Sequence, residues 1–153
     1  MVKDKEYFMN LALKEAMKGQ ADDEVPVGAV IVLDGKVLSR AYNKKETLNR
    51  CTAHAEILAI EKAEKKLGTW HLDGAEMYVT LEPCPMCAGA IVGARIKKLY
   101  FGAYEPKSGS AESRFSVLTE SGLNHSTEYE GGVLSERCAD LLKNYFKAKR
   151  KAK

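Results

Sequence analysis

The segments His54-Ala55-Glu56 and Pro83-Cys84-Pro85-Met86-Cys87 constrain what this chain can fold into more than any other feature. Imidazole nitrogen and thiolate sulfur are zinc donors, and a catalytic zinc usually keeps three protein ligands with its fourth position open. His54, Cys84 and Cys87 make three, so the fold must carry two separated segments to one point. Cys84 and Cys87 stand at i and i+3, where Pro83 and Pro85 mark a loop turning into a helix. Both sulfurs can then face one ion, at the positive end of that helix. Glu56 falls two residues after His54 at the start of another helix, placed to face the same point without being a ligand. A metal there brings the pKa of bound water from about 16 toward roughly 7, and Glu56 is the candidate proton carrier beside it. One zinc per chain is expected.

Two other readings fit parts of the pattern. A lone C-x-x-C also serves as a redox pair in cytosolic proteins. Cys51 precedes His54 by three residues, so Cys51, His54, Cys84 and Cys87 can also close a four-ligand structural site with no room for water. A closed site leaves Glu56 without a task, and Cys51 sits in a polar stretch ahead of the helix.

At 153 residues the chain is long enough for one well-packed domain and short for two, so one domain over 1–153 is expected. The four cysteines suit a reducing compartment and metal binding better than a disulfide framework. Cys138 reads as a buried helix residue. The charged start around Lys3-Asp4-Lys5-Glu6 does not resemble a secretory signal, and the apolar run Val27 to Leu33 is far too short to span a bilayer. A cytoplasmic location without a membrane partner is therefore expected. Six of the 24 basic residues lie from Lys143 onward with no acid among them, while the rest of the chain carries 18 basic against 21 acidic residues. Positive charge is thus gathered in a C-terminal tail. Basic tails often only solvate a helix end, but Tyr145 and Phe146 at the root of this one offer rings to stack on an exposed base while the cations meet phosphates.

The pattern along the chain predicts a first helix over Asp4 to Lys18, stopping at Gly19, and a hairpin of Val25 to Leu33 and Lys36 to Tyr42 around Asp34-Gly35. A polar loop, Asn43 to Thr52, leads to a helix from His54 to about Leu67. A strand near Ala75 to Thr80, the Pro-Cys helix to about Ala94 and a strand near Lys97 to Ala103 follow. Phe115 to Leu118 reads as a short helix, Ser126 to Glu130 as a short strand, and Val133 to about Lys149 as a last helix. Helix, hairpin, then alternating strands and helices argue for an α/β chain with one mixed sheet and helices on both faces. Both donor segments occupy helix starts near strand ends, where open α/β sheets place their ligands. Asn124-His125 reads as a loop or packing feature rather than a second metal site.

Together with Val25-Pro26-Val27-Gly28-Ala29-Val30, Asn43, Thr52-Ala53, Tyr78-Val79-Thr80-Leu81-Glu82, Cys87-Ala88-Gly89-Ala90, Phe101-Gly102-Ala103 and Tyr145-Phe146…Arg150, these motifs resemble the bacterial tRNA-specific adenosine deaminases, the TadA type of the cytidine deaminase-like superfamily. The likeness runs over nearly the whole chain. It implies a five-stranded sheet in a three-layer sandwich, a homodimer, and a tRNA anticodon stem-loop as partner. The implied reaction turns the wobble adenosine into inosine through zinc-activated hydroxide, with Glu56 moving the protons. It further implies that Asn43 contacts the flipped-out base, that Glu105 belongs to the substrate loop, and that Tyr145 and Arg150 approach the anticodon loop. The chain departs from that pattern at Arg50, at Cys51 in place of Pro, at Glu105 in place of Asp, at Glu112 in place of Gly and at Arg114 in place of an apolar residue. These positions bear on which substrate is taken rather than on deamination. At Glu112 a positive φ would cost more than at Gly. The alternatives are a deaminase of a free nucleobase or nucleoside on the same scaffold, and an RNA-binding module with structural zinc.

Overall fold

The computed structural model describes residues 3–120 and 122–151. The first helix, α1, covers Lys5–Ala21, and its N-terminus is capped by Asp4, whose carboxylate accepts a hydrogen bond from the Tyr7 backbone N–H at 2.9 Å. It does not stop at Gly19 as the pattern suggests. Gly19 instead lets the helix lie on the Tyr42 ring, 3.2 Å from where a Cβ would stand, and the turn comes at Asp23, with φ 60°.

Strand β1 covers Gly28–Leu33 and β2 covers Lys36–Tyr42. Asp34 (φ 52°) and Gly35 (φ 76°) join them with the two left-handed residues that a type I′ hairpin requires. The strand expected from Val25 begins only at Gly28, because Pro26 has no N–H to donate and the Val27 N–H turns back to the Val25 carbonyl at 2.9 Å. Helix α2 covers Ala55–Leu67, β3 Glu76–Leu81, α3 Pro85–Gly93, β4 Lys98–Ala103, β5 Glu128–Glu130 and α4 Ser135–Lys151. The short helix expected at Phe115 to Leu118 is a single 3₁₀ turn at Val117–Thr119.

The five strands form one mixed sheet in the order β2-β1-β3-β4-β5. β1 runs antiparallel to β2 and β3, whereas β3, β4 and β5 run parallel to one another. One face is covered by α2 and α3, whose Ala59, Ala63, Ile91 and Val92 pack on Ile31, Met77, Val79, Leu99 and Phe101. The other is covered by α1 and α4 through Phe8, Met9, Ala12 and Cys138 against Val30, Val32 and Tyr78. Three layers result, and the ends of β2, β3 and β4 that lead to Asn43, Cys84 and Glu105 emerge on one edge, where the site lies.

Gly28 sets how closely α1 approaches the sheet, since a Cβ there would stand 2.0 Å from the Ala12 carbonyl oxygen and 2.6 Å from the Ala16 nitrogen. Neither backbone atom can move without shifting the helix. Gly28→Ala is expected to lower unfolding free energy by roughly 3 kcal/mol or more, read as an earlier midpoint in denaturant; an unchanged midpoint would show that α1 is free to slide.

Candidate metal centre and substrate pocket

His54 is the N-cap of α2 and Cys84 the N-cap of α3, both in extended backbone with side chains that make no capping bond. Each helix therefore begins by directing a donor outward rather than folding it back. Their juxtaposition follows from the sheet: β3 leads to Cys84, and the loop after β2 leads to His54. The His54 Nδ1 lies 3.7 Å from the Cys84 Sγ and 3.5 Å from the Cys87 Sγ. All three donor atoms fall within 4.8 Å of one another. Bond lengths of about 2.3 Å to sulfur and 2.0–2.1 Å to nitrogen put tetrahedral nitrogen–sulfur edges at about 3.6 Å, so the donors already stand at the spacing a zinc ion requires.

The thiols behave as a coupled pair. Hydrogen bonding from Cys87 holds the Cys84 thiol down to about 4, while the same contact and burial push the Cys87 thiol far above its ordinary range. The bond to Cys84 raises the His54 imidazole. A dication takes the place of the shared proton in such a pair. Cys51 is exposed and belongs to no donor cluster among the described residues, so it does not stand as a fourth ligand beside the three donors. His125 likewise joins no donor cluster there; its Nε2 lies 3.1 Å from the Ile96 carbonyl oxygen, a packing contact.

Glu56, on the first turn of α2, is only 4% exposed, and burial pushes its carboxyl up to about 7. It lies beside the Cys87 thiol and opens onto a cavity of about 220 Å³. His54, Cys84, Asn43 and Glu105 line the same cavity, with Val25, Val27 and Leu81 as apolar wall and Lys45 and Ser108 completing the lining. The structure thus brings together five of the residues expected to act on substrate or metal, with Cys87 buried behind them. Asn43 is held by its Nδ2–H to the Val25 carbonyl at 3.3 Å and by its Oδ1, which accepts the Lys45 N–H at 3.2 Å.

Two buried acids that the pattern did not single out hold the loops around this cavity. Glu24 accepts the backbone N–H groups of Glu46 and Thr47, at 3.1 and 2.5 Å, in the loop that carries Asn43 and Lys45. Glu82 accepts those of Glu105, Ala111, Glu112 and Ser113. Burial works against both anions, but these hydrogen bonds outweigh it and hold both carboxyls below their ordinary range. The one signal in the sequence is an acid directly after the apolar run of β3. Glu112 donates to Glu82 without a left-handed backbone, so the strain expected there from replacing Gly does not arise.

The C-terminal residues lie elsewhere. Lys143, Lys147, Lys149, Arg150 and Lys151 lie on the C-terminal half of α4, which runs two residues past the expected end at Lys149; Lys153 lies outside the described residues. Tyr145 shares the inward stripe of α4 with Cys138 and Leu141. Tyr145 as a whole is 9% exposed and its hydroxyl donates to the Asp23 carbonyl at 3.3 Å. It also lines a surface pocket with Asp22, Asp23, Glu46, Thr47 and Lys149, and its neighbour Phe146 is 44% exposed. Lys149 is paired with Asp23 at 2.6 Å. Arg150 is exposed and in no ion pair among the described residues.

A three-donor metal cluster with a buried carboxylate beside it is the centre of a hydrolytic deaminase, and a family model of MafB19-like deaminases matches residues 3–150. Two curated relatives, the tRNA-specific adenosine deaminases of Bacillus subtilis and Aquifex aeolicus, are 49% and 48% identical, covering 97% and 94% of this chain and 92% and 94% of their own lengths. A solved structure from work on A-to-I editing by tRNA:A34 deaminases at the wobble position of transfer RNA matches with TM-score 0.86 at 47% identity, covering 89% of this chain and 99% of its own. The chain belongs to the tRNA-specific adenosine deaminase family.

Metal content separates the ligands from their neighbour. Cys87→Ser and His54→Ala are expected to abolish stoichiometric metal in purified protein, whereas Cys51→Ser should leave it intact. Elemental analysis reads this directly, and loss of metal from the Cys51 variant would return the closed site.

Proposed function

We propose that this chain deaminates the adenine at the wobble position of a tRNA anticodon, giving inosine and ammonia. The observation that carries the reading is the Glu56 carboxylate buried beside the His54, Cys84 and Cys87 cluster on one small cavity with Asn43 and Glu105 in its walls. A cavity of that size admits a single base, which must leave its stack to enter. Family membership supports RNA as its source.

One zinc ion held by His54, Cys84 and Cys87 would supply the Lewis acidity that makes water a usable nucleophile at neutral pH. Glu56 takes a proton from the attacking water as oxygen bonds to C6. It passes that proton to the neighbouring ring nitrogen, then takes the second proton from the new C6 hydroxyl and delivers it to the exocyclic amine as the C6–N bond breaks, the C6 carbonyl forms and ammonia leaves. Asn43 keeps one amide hydrogen and one lone pair beyond its two internal bonds, enough to read a base edge. Val25, Val27 and Leu81 give the base an apolar enclosure, and Glu105 adds an acid to the same lining.

Tyr145 and Arg150, with Lys151 and the exposed ring of Phe146 beside them, are our candidates for contact with the anticodon stem-loop. We further infer one deaminase domain acting as a homodimer in the cytoplasm. Exposed Trp70, Met86 and Leu123 around α3 support a second copy packing there, and no helix among the described residues is long and apolar enough to cross a membrane. Assaying anticodon stem-loop RNA, adenosine, cytidine and guanine side by side tests the substrate; efficient turnover of a free base with RNA ignored would overturn it.

Glu56→Ala is expected to keep its metal and bind RNA while its turnover falls by about 10²- to 10⁴-fold, measured by single-turnover kinetics. Near-normal rates would assign the proton transfers to another group. Replacing Arg150 and Lys151 with Gln should weaken RNA binding and flatten its salt dependence, by about 0.7 in log–log slope for each single-strand phosphate that the variant no longer neutralises. Phe146→Ala should cost roughly 1 to 3 kcal/mol of RNA binding if that ring stacks on a base.

A further inference from the structure

Glu82 is 2% exposed and its carboxylate is in no ion pair among the described residues. Burying an anion without a cation is costly unless hydrogen bonds replace its water. Glu82 obtains them all from one loop. Its Oε2 accepts the N–H groups of Ala111, Glu112 and Ser113 at 3.1, 2.9 and 2.9 Å. Its Oε1 accepts the Glu105 N–H at 3.0 Å and the Ser113 hydroxyl. Backbone bonds join the same segments, since Glu82 donates to the Ala103 carbonyl at 2.9 Å and Ser110 to that of Pro83 at 2.8 Å.

Gly109 is a second sign that this loop is built around the carboxylate. A Cβ at that position would stand 2.4 Å from both Glu82 Oε1 and the Glu105 carbonyl oxygen, so only glycine lets the chain pass so close. The segment held this way carries Glu105 and Ser108, two residues of the cavity wall. Glu82 itself lines the cavity, but its oxygens are committed to five donors from the loop.

We infer that Glu82 is a positioning residue for substrate capture: it holds the 105–113 loop as one wall of the cavity and acts on substrate through Glu105 and Ser108. It is neither a proton carrier nor a metal ligand. For its substrate the inference rests on the RNA reading above; the holding of the loop does not.

Glu82→Gln separates the two ends of the loop. Its single carbonyl oxygen best faces the three N–H groups of Ala111, Glu112 and Ser113, which turns the amide nitrogen toward the Glu105 N–H, donor against donor. Ser113 can turn its hydroxyl to accept. The variant should therefore fold, keep its metal, retain protection at 111–113 and release the anchor at Glu105.

Hydrogen exchange on the metal-loaded protein should show the Glu105 amide exchanging at least about 10-fold faster, while the Glu46 and Thr47 amides held by Glu24 stay unchanged. With anticodon stem-loop RNA, KM should rise about 10- to 100-fold with kcat within about 3-fold, the pattern of binding lost equally from ground state and transition state. Glu82→Asp, which keeps the charge on a shorter stem, should recover part of both effects. Unchanged exchange at Glu105 would overturn the inference. So would a fall in kcat accompanied by metal loss, because Glu82 would then be supporting Cys84 rather than the loop. Exchange is read without substrate, so it decides whether Glu82 holds the loop even where RNA proves to be the wrong substrate.

Discussion

The pairing of β1 with β3 is the contact on which the rest of the molecule depends. It joins an antiparallel hairpin, which leads through Asn43 to His54, to a parallel unit that supplies Cys84, Cys87 and Glu105. No short-range preference of either half brings these groups together. Val30 stands opposite Tyr78 and Ala29 opposite Val79 in that pairing, and the Gly28 N–H donates to the Thr80 hydroxyl at 3.2 Å just beyond it. A slip of one residue would turn every side chain of β1 to the opposite face. It would also displace the Val25–Val27 wall from the donors.

Around this fixed centre two long loops are held in the same way. Glu24 and Glu82 each sit in the interior without a cation and are stabilised by backbone N–H groups of the loop they hold. A buried anion of this kind costs desolvation, and hydrogen bonds to charged groups are the ones strong enough to offset it. The arrangement orders the loop backbone while leaving its side chains free to face substrate. Departures from the family pattern at Glu105, Glu112 and Arg114 therefore fall on a loop whose path is set from beneath. Glu112 joins that loop through its amide, a group every residue but proline supplies.

The C-terminal helix shows how a single helical stripe divides two aromatic neighbours. Cys138 and Leu141 pack against the sheet and Tyr145, further along the same stripe, is buried near Asp23, so Phe146, one residue on, faces solvent beside the terminal cations. Tyr145 and Lys149 both reach Asp23, at the turn before Glu24. The end of α4 is thus tied to the chain segment that forms one wall of the cavity, and the terminal cations stand at a set distance from the metal donors.

Much of this was legible in the sequence because the signals were local. The Asp34-Gly35 turn, the periodicity of α2, the proline-flanked C-x-x-C and the His-x-Glu step each report on backbone a few residues long, and donor chemistry follows from residue type. The sequence therefore determined the element order, the mixed sheet, and the His54, Cys84 and Cys87 cluster able to hold a metal with a carboxylate beside it. What it left undetermined depends on long-range packing. That Cys51 stays outside the cluster, that Gly19 serves packing rather than termination, and that Tyr145 is buried where Phe146 is exposed were decided by which faces α1, α4 and the loops present to the sheet. The roles of Glu24 and Glu82 were also decided there. A carboxylate is ordinarily a surface group, and only tertiary structure can surround one with the backbone donors that make its burial stable.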